Sequence, residues 1–317
     1  MTPAAPLRRA VRTNGIRMAV TEAGDGPTIV LCHGFPEIAY SWRNQIPALA
    51  AAGFRAVAPD QRGYGDTDRP ADVAAYDIHH LTGDLVGLLD ALDVERAVFV
   101  GHDWGGLVAW HMPLLHPART AGVIGVNTPY LPRPSAPPVG LMRTIWGEDY
   151  YVVHFQKPGD ADAALARDVR RVFTQLMRAG TPGERTLPLR AARTLVDVVF
   201  GDELPGRPLL GADELDVYVS TFERTGFTGG INWYRNMDRN WETTAHLADA
   251  RIDVPSLMVT AEHDPVLRPE LADAMRPLVP DLEVRMIAGC GHWTQQEKPA
   301  ELNAIVIDWL TRRFGTR

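Results

Sequence analysis

Asp103, Asp264 and His292 stand where a nucleophile, an acid and a base could cooperate. Asp103 lies in "AVFVGHDWGGLVAW" (97–110), where a short apolar run enters a turn crowded by Gly101, Gly105 and Gly106 and leaves as the start of a helix. The form Gly-x-nucleophile-x-Gly lifts one side chain onto a strained strand-to-helix elbow, and only small neighbours fit such a turn. Serine is the usual occupant; here it is a carboxylate. Alone, Asp103 has a plainer reading as a helix N-cap, the less favoured of the two. Asp264 ends the apolar run "PSLMVTAEHD", and His292 sits in "GCGHWTQ" just after another such run, so all three residues fall at strand ends in the order nucleophile, acid, histidine. Asp249 and Asp253 are rival acids, but neither directly follows an apolar run. Of the ten histidines only His292 is framed in this way. His33 and His102 read as supports of the turns beside the site. His79, His80, His111, His116, His154, His246 and His263 read as solvated or structural.

A carboxylate changes the chemistry. Serine needs a base before it attacks, whereas aspartate is already an anion at neutral pH. It can displace a leaving group from saturated carbon and form an ester whose carbonyl belongs to the enzyme. The histidine is then free to activate water against that carbonyl. Epoxides and alkyl halides, with sp³ electrophilic carbon, suit such a nucleophile better than esters or peptides. A halide leaves as an anion and needs N–H donors. An epoxide oxygen leaves as an alkoxide and needs a proton or a strong hydrogen bond, which phenols supply. The ester carbonyl calls for an oxyanion hole. Its expected donors are the backbone N–H groups of Trp104, after the nucleophile, and of Phe35, in "HGFP" after the run "TIVLC". Pro36 makes a cis bond in that loop conceivable.

These residues must be positioned by a sheet. "TIVLC" (28–32), "RAVAPD" (55–60), "AVFVG" (97–101), "AGVIGVN" (121–127), "PSLMVTAEHD" (255–264) and "EVRMIAG" (283–289) read as strands. "DIHHLTGDLVGLLDALD" (77–93) and "PAELNAIVIDWLTRRF" (299–314) read as helices. The alternation predicts an α/β fold with a mostly parallel sheet covered by helices on both faces. It breaks between about Tyr130 and Ala248, where the proline-rich "YLPRPSAPPVG" leads into helix-like stretches at 160–180 and 212–226. A helical cap over residues 131–247 is expected, inserted into a core formed by residues 1–130 and 248–317. It would cover the carboxyl ends of the strands, where open α/β sheets bind ligands. "RGYGDTD" (62–68) lacks the third glycine and the spacing of a dinucleotide loop and reads as a tight structural turn.

Composition narrows the function. The chain has 317 residues, 45% hydrophobic and 22% charged, and a formal net charge of −7. That balance, with no basic block, argues against a nucleic-acid partner. No secretory leader is expected in "MTPAAPLRRAVRTNG", and no apolar run is long enough for a membrane-spanning helix. Cys32 and Cys290 are the two cysteines, too few for a disulfide framework, and read as reduced buried thiols of a cytoplasmic protein.

"HGFPE", "DQRGYGDTD", "GHDWGG", "YYVVHFQKPG", "INWYRNMDRNW", "VTAEHD" and "GCGHWTQQEKP" occur in order from about residue 28 to the end. In this set the chain resembles the soluble epoxide hydrolases of the α/β-hydrolase superfamily. The resemblance implies an α/β-hydrolase fold with a cap and the conversion of an epoxide and water to a vicinal diol, without metal or other cofactor. It also implies two cap tyrosines that hydrogen-bond the epoxide oxygen. By the motifs these fall on Tyr234 and on Tyr151, with Tyr150 as the neighbouring alternative. Phe35, Trp104, Trp233 and Met237 are candidates for an apolar substrate cavity, or for core packing. A monomer or a homodimer through the cap fits the family. Haloalkane dehalogenases are the nearest rivals: Trp104 would suit a halide, but Phe35 stands where that family commonly has Asn. Haloacid relatives carry "GHDRGG", and Trp104 replaces that arginine here. A non-catalytic ligand receptor on the same fold would have no need of the complete Asp103, Asp264 and His292 set.

Overall fold

The computed structural model describes residues 5–180 and 194–315; the remaining parts of the expected cap and of both ends lie outside the described residues. Eight strands form one sheet: β1 (Leu7–Thr13), β2 (Ile16–Ala23), β3 (Thr28–Cys32), β4 (Arg55–Pro59), β5 (Ala97–His102), β6 (Thr120–Val126), β7 (Ser256–Ala261) and β8 (Leu282–Ile287). Their spatial order is β1-β2-β4-β3-β5-β6-β7-β8. From β4 to β8 every pairing is parallel, so the carboxyl ends of β3, β5, β7 and β8 open along one edge of the sheet. The expected parallel strands are all present, within three residues of the sequence reading at either end.

The sequence reading did not include the antiparallel hairpin β1–β2, which extends the sheet beyond β4. Its signal is Asn14-Gly15: both residues have positive φ (42° and 80°), as a two-residue hairpin turn requires. Arg8, Arg9 and Arg12 in β1 hide the apolar alternation that would have marked the strand.

The parallel strands are buried on both faces, and alternate residues sort into two layers. Ile29, Leu31, Val98, Val100, Ile124 and Leu257 pack under the helices Gln45–Ala51 and Pro299–Phe314, through Ile46, Leu49, Leu302, Val306, Trp309 and Leu310. Val30, Phe99, Val123 and Met258 face Leu81, Leu85, Leu88, Val108 and Met112 of the helices Ile78–Ala91 and Trp104–Leu115. Asp77 starts the first of these by accepting from the His80 N–H.

Between β6 and β7 the described residues form helices and no strand of the sheet. The stretch read as one helix over 160–180 is two, Asp160–Ala166 and Val169–Leu176. The chain leaves the helical path at Asp168, whose carboxylate accepts from Arg171 N–H and caps a new start. Phe155, Phe173, Tyr218, Phe222, Phe227 and Trp233 of this region belong to the same apolar cluster as Val30 and Phe99. The cap is thus fused to the core. Near "RGYGDTD", the positive φ of Gly63 (91°) lets the turn lie against Gly229 of the cap helix Thr228–Arg235. Among the described residues, no helix is long and apolar enough to cross a membrane. None of their His, Cys, Asp and Glu side chains forms a group of three that could hold a metal ion.

Candidate active site

Asp103 follows β5 directly and has φ 52°, ψ −123°, a strained conformation for a residue with a side chain. The turn is so tight that a Cβ on Gly105 would run into the Cys32 carbonyl, and one on Gly34 would run into Asp103 itself. Thr128 holds the elbow from the far side, its hydroxyl donating to the Asp103 carbonyl at 2.8 Å. The Asp103 side chain makes no N-cap hydrogen bond with its own helix. It turns outward instead, and its Oδ1 accepts from the Phe35 backbone N–H at 2.8 Å. The Phe35–Pro36 peptide is cis. Trp104 begins the helix, so its N–H is one of the amides that no earlier turn can satisfy.

His292 and Asp264 meet this elbow from β8 and β7. His292 Nδ1 lies 2.9 Å from Asp264 Oδ2, and its Nε2 lies 3.8 Å from Asp103 Oδ2. Asp264 also accepts from the Val266 and Leu267 N–H groups at 2.8 and 2.9 Å, and from Asn127 Nδ2 at 2.7 Å. Burial pushes its carboxyl up, but His292 and these donors outweigh burial and hold it down at about 2. Burial works against the His292 imidazolium, yet the carboxylates of Asp264 and Asp103 push it up to about 9. Neither Asp249 nor Asp253 takes this place.

A buried brace ties these loops together. His102 Nε2 donates to the His292 carbonyl at 2.8 Å, and His102 Nδ1 lies 2.9 Å from Glu37 Oε2. Glu37 is fully buried and also accepts from Gly34 N–H and from the side-chain amides of Gln295 and Gln296. Burial raises its carboxyl, but His102 and the other donors bring it down to about 2. His102 is the turn support expected, and His33 does the same at the next loop, its Nε2 accepting from Gln61 N–H at 3.0 Å. The sequence reading did not single out Glu37, Gln295 or Asn127. A carboxylate within the otherwise apolar "GFPEIAYSW" was the one available sign.

Tyr151 and Tyr234 come from the cap and line one cavity with Asp103 and His292. Their rings are 5.8 Å apart, and the Tyr234 ring lies 4.8 Å from that of Trp104. Burial above all, and then nearby charge including the Asp103 carboxylate, pushes both phenols well above the ordinary tyrosine range, so each is a proton-bearing donor. Tyr150 packs against Tyr151 and Trp146 and is not in the cavity wall. Among the described residues, the rest of the wall is Phe35, Pro36, Leu176, Leu195, Val266 and Trp293. Of the four candidate pocket residues, Phe35 is therefore in the wall. Trp104 lies behind it, against Tyr234. Trp233 is fully buried, donating its indole N–H to the Arg62 carbonyl at 3.1 Å. Met237 packs half-buried at the start of the next cap helix. Neither Trp233 nor Met237 is among the described residues that line the cavity.

Residues 27–299 match the family described as alpha/beta hydrolase fold. The chain is 50% identical to epoxide hydrolase A of Mycobacterium tuberculosis, over 97% of this chain and 98% of that one. It is 42% identical to bifunctional epoxide hydrolase 2 of Sus scrofa over 93% of this chain, and spans 53% of that longer protein. The crystal structure of epoxide hydrolase A from Mycobacterium thermoresistibile superposes with a TM-score of 0.88 at 46% identity, covering 96% of this chain and 98% of that one. An epoxide hydrolase of Vigna radiata superposes with a TM-score of 0.87 at 36% identity, over 97% and 98% of the two chains.

Proposed function

Since the chain belongs to the α/β hydrolase fold family and, within it, to the epoxide hydrolases, we propose that Asp103 opens the epoxide and His292 resolves the resulting ester. The observation that carries this reading is the pair of buried phenols facing a carboxylate across one cavity. Residues 131–247 serve as the cap that delivers them.

Asp103 Oδ1 is tied to the Phe35 N–H, which leaves Oδ2 as the attacking atom. Oδ2 forms a bond to one epoxide carbon, and that carbon's bond to the ring oxygen breaks. The oxygen takes a proton from Tyr151 or Tyr234 and becomes the product hydroxyl, and the phenolate is reprotonated, through solvent, by the proton that His292 then releases. Oδ1 becomes the ester carbonyl oxygen, already in contact with one donor of the oxyanion hole; the Trp104 N–H is the second.

Ester formation also removes the Asp103 negative charge. One of the carboxylates that hold His292 protonated is then gone. The imidazole becomes a base at the moment a base is needed, with Asp264 keeping Nδ1 occupied and Nε2 toward the ester. Water loses a proton to Nε2 and adds to the ester carbonyl. The tetrahedral intermediate collapses, the imidazolium protonates the leaving alkoxide so that the vicinal diol departs, and the Asp103 carboxyl so formed returns its proton to His292, which restores carboxylate and imidazolium.

The partners in this reading are a small epoxide and water, with no nucleic acid, membrane or cofactor. Cys32 and Cys290 are free and buried, which fits a reducing compartment such as the cytoplasm. The Trp104 side chain hydrogen-bonds Tyr234, which favours an epoxide over a halide held by indole.

The test uses His292→Gln with styrene oxide and with 1-chlorohexane, followed by intact mass and peptide mapping. A whole-epoxide increment on Asp103 is the expected result. An alkyl increment from the chloroalkane alone would make the protein a dehalogenase. No adduct in a folded variant whose parent turns over styrene oxide would end the covalent reading.

A further inference from the structure

The two tyrosines ride on elements too short to hold themselves. Tyr151 opens a helix of 4 residues, Tyr151–His154, and Tyr234 lies in the last turn of a helix of 8, Thr228–Arg235. Helices this short have no stability of their own in water, so tertiary contacts must set where these phenols stand.

Those contacts are reciprocal. Arg235, the residue after Tyr234, donates from Nε to the Phe155 carbonyl at 2.9 Å and from Nη2 to the Lys157 carbonyl at 3.1 Å. It thereby satisfies carbonyls just beyond the end of the Tyr151 helix. Gln156, the residue after Phe155, donates from Nε2 to the Val152 carbonyl at 2.8 Å and to the Tyr234 carbonyl at 3.1 Å. Each tyrosine segment thus carries the side chain that holds the other. Phe155 is fully buried between them, its ring 5.7 Å from Tyr151 and 5.0 Å from Tyr234.

The guanidinium is itself fixed. Asp162 takes it with both oxygens, at 3.2 and 2.6 Å, and the Asn232 side-chain oxygen accepts at 2.9 Å. The side chains of Arg235 and Asp162 are 7% and 10% exposed, so the pair is nearly dry and its planar geometry is well defined. Asp162 Oδ2 also accepts from Gly159 N–H, which closes the turn that follows the Tyr151 helix.

We propose that Arg235, clamped by Asp162 and seconded by Gln156, is a positioning residue for ring opening: it sets the spacing of Tyr151 and Tyr234 so that both phenols reach one epoxide oxygen. The inference rests on the reading of those tyrosines given above. It has a kinetic signature. The phenols act while the ester forms; His292 and Asp264 act while it breaks. Loosening the strap slows the first step and spares the second, whereas general damage to the fold slows both.

The experiment is rapid-quench single turnover with styrene oxide, reading the Asp103 ester by intact mass against time, so that formation and decay are fitted separately. In Arg235→Gln, ester formation is expected to fall roughly 10- to 100-fold, the scale of an ångström-level misplacement, with decay unchanged. Asp162→Asn gives the same pattern, and the double variant is no slower than the slower single, because both act through one network. If a stranded buried charge unfolds the cap in these variants, Gln156→Leu decides, since it strands none and weakens formation a few-fold by the same logic. Unchanged formation in a folded strap variant, or an equal fall in both steps, overturns the proposal. Tyr234→Phe runs alongside. If it slows formation and the strap variants do not, the strap alone is wrong; if Tyr234→Phe has no effect, the role of the tyrosines fails and the strap proposal falls with it.

Discussion

Asp103, Asp264 and His292 stand on loops that leave strands of one sheet directly, whereas Tyr151 and Tyr234 stand on helices of 4 and 8 residues fixed by side chains from each other's segments. The first region inherits its rigidity from the parallel ladder beneath it and from the Glu37–His102 brace. The second inherits nothing from its own backbone and depends on Arg235, Asp162 and Gln156. In the mechanism proposed above, the cap side supplies the proton donors to ring opening, while the sheet side supplies the nucleophile and, through His292 and Asp264, resolves the ester. Two half-reactions on two differently supported platforms can be impaired one at a time.

The largest separation is expected from the sheet side. Asp264→Asn removes the charge that holds His292 and permits the wrong tautomer. Ester decay should fall about 10³- to 10⁴-fold while formation changes far less. The ester then accumulates in the steady state and is counted by intact mass. Equal losses in both steps would merge the two regions into one functional unit.

The cap side gives a smaller and opposite effect. Tyr234→Phe is expected to slow ester formation about 10²-fold and leave decay intact, with Tyr151→Phe similar. Tyr150→Phe is expected to have a smaller effect on formation, because Tyr150 is not in the cavity wall but its hydroxyl hydrogen-bonds the Tyr151 phenol.

The mildest probe is pH. Against burial, Asp264 and Asp103 raise the folded-state His292 to about 9 from an ordinary 6.5. The folded protein therefore holds this proton more tightly than the unfolded chain. The stability it contributes is complete below pH 6.5 and is lost as pH rises through about 9. The melting temperature of the parent should decline across that window, and that of His292→Gln should decline less. Ester decay should rise with pH to a plateau whose midpoint lies below 9, because esterified Asp103 no longer helps to hold the proton. Matching declines in parent and variant would dissociate His292 from both effects.

The same division explains what could be read from the sequence. The elbow, Asp264, His292 and Phe35 are each local signatures, a few residues beyond an apolar run, so residue types and order suffice. Tyr234 and Tyr151 came only through the resemblance of their motifs, because nothing within "NWYRN" or "YYVVHF" says which ring faces a cavity. Trp233 and Met237 lie in the same motif as Tyr234, yet neither is among the described residues that line the cavity. The strap escaped for the same reason: Arg235 and Asp162 are far apart in the chain, and a surface arginine and a helix-start aspartate look no different in sequence. The β1–β2 hairpin was marked by Asn14-Gly15 but masked by three arginines.

The Asp103 elbow bears on how the enzyme fails. A residue with a side chain held at φ 52° is strained by about 1–3 kcal/mol, and it stays there only while the Gly34 loop, the Thr128 hydroxyl and the following helix all press on it. Slight loosening of any one of these lets the backbone relax before the sheet has lost its ladder. Warming or mild denaturant should therefore silence the enzyme ahead of any change in far-ultraviolet circular dichroism. Residual turnover is then a finer gauge of damage to this molecule than its secondary structure.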